Sequence, residues 1–209
     1  MRTHDRMMML YLVFLFVTIS VAGWCIEVPF RSLFCRKLVI PGFLYGPYCP
    51  IYGFGVVAVT LFCNHKKKWV FFLEIFVLAS VLEYVVSFAF ETIFHRLLWD
   101  YSMIPFSIGT RVSPLFSLIW GFFGVLMLKE AEPRIRQFYM DHRKPADIAA
   151  TTGLAVIAAD PGLGDTFYRW PLETQEEFLG CCSGARGMKV LYDGVFKEIF
   201  NPETTPERL

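Results

Sequence analysis

The sequence predicts an all-α, polytopic helical membrane protein with about four transmembrane helices, and three observations lead to this fold class. Of the 209 residues, 55% are hydrophobic and 17% are aromatic, which is more apolar than a typical soluble domain. Long uncharged runs alternate with short charged clusters over the first 130 residues. One run, residues 42–55, is apolar but rich in glycine and proline, which predicts a broken or re-entrant segment.

The first uncharged run covers residues 7–26, and its twenty residues match the length that crosses about 30 Å of hydrocarbon. A signal peptide is the competing interpretation, but the apolar run is too long and no A-x-A-like cleavage site follows it. Glu27 and Arg31 come next at i,i+4 spacing. They share a face and can pair if the helix continues through Pro29.

Residues 42–55 read GFLYGPYCPIYGFG, and a second span is predicted over about 45–63. Irregular backbone survives at membrane depth only where protein or a water-filled cavity satisfies its polar groups. We therefore expect this segment to line a cavity, with Tyr45, Gly46 and Pro50 as candidate pathway residues. The alternative is a helix that begins at the membrane interface, with its tyrosines as aromatic anchors.

The third predicted span, about 69–94, carries three glutamates. Glu83 lies near its middle, where a charged carboxylate costs at least ~2.5 kcal/mol, so we expect it to face the bundle or water and to be protonated or paired. Ser80 and Ser87 lie at i−3 and i+4 from Glu83 and extend a polar stripe on the helix. Glu91 follows one turn later. A transport role for Glu83 and a structural hydrogen bond between helices both remain open.

The loop after the third span is rich in aromatic residues and contains Asp100 and Arg111, a composition typical of the membrane interface. Residues 112–128 are an uncharged run of seventeen and form the predicted fourth span. Beyond them the composition becomes that of a soluble segment. The predicted organisation is a transmembrane bundle over residues 1–130 and a cytoplasmic, largely irregular tail over residues 131–209.

Charge distribution sets the expected orientation and excludes one class of partner. Ten Lys and Arg residues lie on the side of the N terminus and five on the other side, so both termini are predicted to be cytoplasmic. The net charge of +1 argues against nucleic-acid binding. Six cysteines without a C-x-x-C motif or matching histidines indicate neither a zinc site nor a redox pair. We expect no metal, no cofactor and no enzymatic activity.

Several short motifs fall inside the predicted spans and loops. In chain order they are GW at 23–24 and IE at 26–27, GFLYGPYCPIYGFG at 42–55, LEY at 82–84, FE at 90–91, WDYS at 99–102, PFSIGTR at 105–111 and SLIWG at 117–121. With these motifs, residues of about 7–130 resemble the bacterial family of putative ABC-transporter type IV permeases. The resemblance implies a transporter membrane subunit in the bacterial plasma membrane, with no defined substrate. Pro29 and the tail depart from the family pattern.

A second, narrower resemblance lies at the C-terminal end. Residues 188–209, MKVLYDGVFKEIFNPETTPERL, resemble the opening of a bacterial transposase or nuclease family with a PD-(D/E)xK-type core. These residues precede the catalytic carboxylates of such a core, so the resemblance implies no nuclease activity. A fused reading frame and a chance amphipathic tail would both explain it.

The leading functional hypothesis is the membrane subunit of an ABC-type transporter. The substrate- or ion-pathway candidates are Glu27, Arg31, Tyr45, Gly46, Pro50, Glu83, Glu91, Asp100 and Arg111. No Walker A motif occurs in the 209 residues, so a separate ATPase subunit is expected, together with membrane lipid and a homo-oligomer.

Two other functional classes compete with transport. A structural or regulatory membrane protein would bind a lipid or a partner protein through its loops and would carry nothing. An intramembrane enzyme could use Glu27, Glu91 and Asp100 as acid and base. The enzyme is disfavoured because no histidine or serine has the spacing of an activated nucleophile.

Overall fold

The computed structural model describes residues 3–162 except 36, 37, 39, 41–43, 64–66, 95, 96, 98, 103 and 105. Over these residues the chain is helical and contains no β-strand, which confirms the predicted all-α class. The elements are α1 (Thr3–Cys35), α2 (Pro50–Phe62), α3 (Lys68–Phe94), α4 (Pro114–Leu126), a π-helix (Met127–Ala131), α5 (Glu132–Asp141) and α6 (Arg143–Ala158).

Three helical stretches are long and apolar enough to cross a membrane: Asp5–Phe30, Lys68–Ile93 and Pro114–Asp141. α2 is shorter, because its 13 residues span only about 20 Å at 1.5 Å per residue. It begins at Pro50, about five residues later than predicted, since proline is accommodated best in the first helical turn. The segment before it is uncharged but non-helical, so hydropathy alone could not separate the two.

The first and last predicted spans extend further than their apolar runs. α1 continues through Pro29 to Cys35, so the proline removes one hydrogen bond without ending the helix. α4 continues through the π-helix into α5, whose residues are polar on average. Charge therefore marks the limit of the apolar run but not the end of the helix.

α1 is the central helix of the fold, since α2 and α6 both pack extensively along it, while α3 packs mainly on α4. Two glycines permit the close approach of α1 and α2. A Cβ at Gly53 would collide with the Ser20 hydroxyl and with the ring and carbonyl of Phe16. A Cβ at Gly23 would collide with the ring of Tyr52. From Tyr52 to Gly53 along α2, the contacts on α1 move backwards, from Gly23 to Ser20 and Phe16. The two helices are therefore antiparallel.

The first part of the predicted tail is not irregular, because residues 132–158 form α5 and α6. Tyr139 of α5 is fully buried against the rings of Tyr11 and Phe14, with centroids 5.2 and 5.3 Å apart. α6 then returns along α1, where the small side chains of Ala146 and Ala150 are buried. Residues 163–209 lie outside the described residues.

The chain also returns along α1 before α2 begins. The amide of Cys49 donates a hydrogen bond of 2.9 Å to the carbonyl of Ser20. Ser20 lies fifteen residues before the end of α1 at Cys35, a distance of about 22 Å along the helix axis. The stretch 44–49 therefore lies beside the middle of a membrane-length helix, which agrees with the broken or re-entrant segment expected there.

Candidate functional site

A buried polar cluster lies between α3 and α4, centred on Glu83. The Glu83 side chain is 5% exposed, and its Oε1 accepts a hydrogen bond of 3.1 Å from Trp120 Nε1. Its Oε2 accepts a longer one, 3.5 Å, from Ser117 Oγ. Ser80 Oγ in turn donates to Ser117 Oγ at 2.8 Å. Glu83 thus faces the interior of the bundle, as its position in an apolar helix requires.

The cluster holds two polar groups that the described residues do not satisfy. Ser87 and Ser113 are completely buried, and among the described residues neither hydroxyl has a hydrogen-bond partner. No cationic side chain of the described part of the chain pairs with Glu83. A charged carboxylate within a spanning helix costs ~2.5–3.5 kcal/mol or more when it is not compensated. Structural hydrogen bonding alone therefore accounts for only part of this cluster.

The cluster is connected to the other two membrane helices through aromatic side chains. The rings of Trp120 and Tyr52 meet edge to face, with centroids 5.4 Å apart. Tyr52 Oη donates a hydrogen bond of 2.9 Å to Glu27 on α1. Side chains from α1, α2, α4 and α3 thus form one continuous line from Glu27 to Glu83. No sequence motif linked these two carboxylates, because their connection depends on how the helices pack.

The predicted candidates Glu91 and Arg111 form an ion pair at the end of α3. The Arg111 guanidinium also lies 5.9 Å from the ring centroids of Tyr84 and Phe88, within the range of cation–π interaction. Its backbone carbonyl accepts a hydrogen bond of 2.9 Å from Trp99 Nε1. The aromatic loop is therefore held against α3, and Arg111 is its main anchor.

Tyr45 and Gly46 contribute backbone amides to a second site, which the sequence did not predict. Asp160, directly after α6, accepts hydrogen bonds of 3.1 Å from both amides. Tyr48 Oη donates to the same carboxylate at 2.5 Å, and the amide of Gly162 donates at 2.8 Å. We call this arrangement the Asp160 clamp. It fastens the end of α6 to the segment before α2.

The protonation states of the Asp160 clamp follow from its hydrogen bonds. Burial raises the pKa of Asp160, but the bonds from Tyr48, Tyr45, Gly162 and Gly46 outweigh it and hold the pKa below its ordinary value. Burial, together with the bond to Asp160, raises the pKa of Tyr48 to about 12. At neutral pH a charged carboxylate therefore accepts from a neutral phenol, and the clamp is structural in character.

The remaining predicted candidates are distributed over the fold. Pro50 is the first residue of α2 and lies two residues after Tyr48, which belongs to the Asp160 clamp. Asp100 accepts a hydrogen bond of 2.8 Å from the amide of Ser102, a local turn contact within the aromatic loop. The side chain of Arg31 lies outside the described part, so its pairing with Glu27 stays a prediction. Gly42, at the start of the glycine-rich run, is likewise not described.

Within the described ranges, no group of three or more His, Cys, Asp or Glu side chains comes together to form a metal site. Cys25 is exposed, Cys49 is buried and Cys63 is half-buried, and none of these three cysteines forms a disulfide. The cluster around Glu83 contains one carboxylate and several hydroxyl groups, which suits a singly charged ligand better than a transition metal.

Residues 14–163 match the family described as "Putative ABC-transporter type IV". The chain belongs to this family. The match extends beyond residue 130 and includes α5, α6 and Asp160, so the family region of this ABC-transporter-related protein is longer than the motifs indicated. The resemblance of residues 188–209 to a transposase or nuclease family is not supported. No curated protein and no solved structure matches the chain.

Proposed function

We propose that this chain is the membrane subunit, or permease, of an ABC-type transport system and that it works with a separate ATPase. Membership of the ABC-transporter type IV family and three helices of membrane-spanning length support the proposal. The 209 residues contain no Walker A motif, so the energy of ATP hydrolysis has to come from another subunit. The chain itself performs no chemistry in this proposal.

The observation that carries the proposal is the line of side chains from Glu27 to Glu83. Ionisable residues within membrane helices are rare and commonly mark substrate or ion pathways. Here Glu83 is buried at the α3–α4 contact, and Tyr52 and Trp120 join it to Glu27. The non-helical segment 44–49 lies next to the same helices, as in transporters that build their sites from discontinuous helices.

The orientation follows from the distribution of positive charge. Both termini face the cytoplasm of a bacterial cell in this proposal, which places Lys68, Lys129 and Arg136 at the cytoplasmic end of the bundle. A half-open cavity of about 180 Å³ lies at that end and includes Lys129 and Arg136 in its lining. The ATPase subunit would dock on this side. Four helices are too few to enclose a transport pathway within a single chain. In this proposal a homo-oligomer completes the pore.

Copurification from the native bacterial membrane in mild detergent tests the proposal. We expect an ATPase subunit to accompany the tagged chain in a fixed ratio, as determined by mass spectrometry. An unrelated polytopic membrane protein with the same tag serves as the control for detergent-stable contaminants. Recovery of the chain alone, as a stable oligomer without an ATPase, would contradict the transporter assignment.

The substitution Glu83→Gln separates transport from structural support. Glutamine keeps the size and the acceptor oxygen for Trp120 but removes the charge, so in sodium-free buffer we expect the free energy of unfolding to change by less than about 1 kcal/mol. ATPase activity of the reconstituted complex should fall at least ten-fold. Glu130→Gln, which removes an exposed carboxylate that is not a pathway candidate, is the matched control. Equal activity of both variants would exclude a charge-dependent role for Glu83.

A structural or regulatory protein that binds a lipid or a partner protein is the second candidate function, and one observation favours it. Phe106 in the aromatic loop is 89% exposed and has a φ of 63°, which is unusual for a bulky residue. Ile108 beside it is also exposed. An apolar loop tip of this kind inserts readily into a lipid interface or a partner surface.

A further inference from the structure

We propose that the cluster around Glu83 binds a small monovalent cation, of which Na⁺ is the simplest example. The ligands would be Glu83 Oε2 and the hydroxyl oxygens of Ser87 and Ser113. The inference rests on the proposed transport function, because it names the ion whose binding the membrane subunit would couple to transport. Binding of the ion to the chain can be tested without any ATPase.

The first argument is that the three oxygen groups belong to one small region. Glu83 and Ser87 lie one helical turn apart on α3. Ser117 Oγ lies 3.5 Å from Glu83 Oε2 and 3.2 Å from the backbone carbonyl of Ser113, which brings Ser113 close to the same carboxylate. Ser87 and Ser113 are 0% exposed, and neither hydroxyl has a partner among the described residues. Two buried, unused oxygens therefore lie beside a buried carboxylate.

The second argument concerns the two oxygens of Glu83, which are not equivalent. Oε1 accepts a hydrogen bond of 3.1 Å from Trp120 Nε1, a group that can only donate. The hydrogen bond that Oε2 accepts from Ser117 Oγ is longer, at 3.5 Å. Trp120 thus orients the carboxylate, and the weaker of its two side-chain hydrogen bonds is at Oε2, where a cation can replace it.

The third argument is the balance of charge. Over the described residues Glu83 has no cationic partner, and buried charges in membranes are normally paired. One carboxylate neutralises one positive charge, whereas a divalent ion would require further carboxylates, and the described residues bring no three His, Cys, Asp or Glu side chains together. Hard cations prefer oxygen ligands, and transporters commonly hold coupling ions with hydroxyl, carbonyl and carboxylate oxygens.

The test is thermal unfolding of the full chain, purified in detergent, in NaCl or in choline chloride at the same ionic strength. We expect Na⁺ to raise the midpoint by about 5 °C when its concentration is one hundred times its Kd. The double substitution Ser87→Ala, Ser113→Ala should weaken the apparent affinity at least ten-fold, and Glu83→Gln should abolish the shift. Glu130→Gln, an exposed carboxylate outside the cluster, should retain it.

Two results would overturn the inference. Equal midpoints in NaCl and choline chloride for the unmodified chain would mean that Glu83 is neutralised by protonation instead. A Na⁺ shift that persists in Glu83→Gln would place the ion elsewhere. Neither result depends on the ATPase, so the cation site can fail while copurification still supports the transporter, and the reverse also holds.

Discussion

Replacing Gly53 by alanine is expected to destabilise the bundle by about 1–3 kcal/mol, the usual cost of overpacking a close contact. A Cβ at this position meets the Ser20 hydroxyl, the Phe16 ring and the Phe16 carbonyl. The carbonyl belongs to the backbone of α1 and cannot turn aside. α2 would have to move away from α1, and the contact between Tyr52 and Glu27 would be weakened with it.

Gly55→Ala is the matched control, two positions further along the same helix. The Cβ added there has only Leu82 Cδ2 nearby, at an ordinary contact distance of 3.8 Å. Since alanine also has the higher helix propensity, by up to about 1 kcal/mol, this variant should be as stable as the original or more stable. The two variants are compared by thermal unfolding in the same detergent. Equal stabilities would show that α1 and α2 are not packed as described.

Asp160→Asn is expected to cost about 2–4 kcal/mol of unfolding free energy. Hydrogen bonds to a charged group contribute about 1.5–3 kcal/mol, and Asp160 accepts several of them. The amide group of asparagine would direct donors at backbone amides that also donate. Because the pKa of Asp160 is lower in the folded protein, its contribution is present above the unfolded value of about 3.9 and is lost as the pH falls through the folded value.

Loss of the Asp160 clamp should also expose Cys49, which is 5% exposed and lies in the segment that the clamp holds. Maleimide labelling, localised to single cysteines by peptide mass spectrometry, measures this directly, with exposed Cys25 as the internal reference. Asp100→Asn is the control variant, because the hydrogen bond that Asp100 accepts from Ser102 is a local turn contact in a different loop. If Asp100→Asn exposed Cys49 to the same degree, the clamp would have no specific role.

The sequence predicted those parts of the fold that depend on long apolar runs, and it failed where packing decides. α1 and α3 were found because their long, mostly apolar stretches exceed the thickness of a bilayer. α5 and α6 were missed because charged residues such as Arg134 and Lys144 resemble a soluble tail, although the buried faces carry Tyr139 and Ala150. An amphipathic helix that packs on a membrane helix has no strong signal in hydropathy.

The same distinction applies to the candidate site: residues that stand out in the sequence were predicted, and contacts that depend on packing were not. Glu83 was found because a carboxylate in an apolar helix is conspicuous by itself. Its partner Trp120 was missed, since an aromatic residue in a membrane helix is unremarkable until its neighbour is known. Asp160 follows an apolar run and precedes Pro161 and Gly162, which indicates a turn and nothing more. Its role depends on backbone amides more than a hundred residues away in the sequence.

The π-helix Met127–Ala131 determines which side of α5 faces α1. Each residue of an α-helix turns the chain by about 100°, so the wider turn changes the rotational setting of every side chain that follows it. In this setting Glu132 accepts a hydrogen bond of 2.6 Å from Tyr11 Oη, and Tyr139 is completely buried. Deleting one residue here would restore a regular helix and turn Glu132 and Tyr139 away from α1. Insertions and deletions in this five-residue stretch should therefore be tolerated far less well than substitutions.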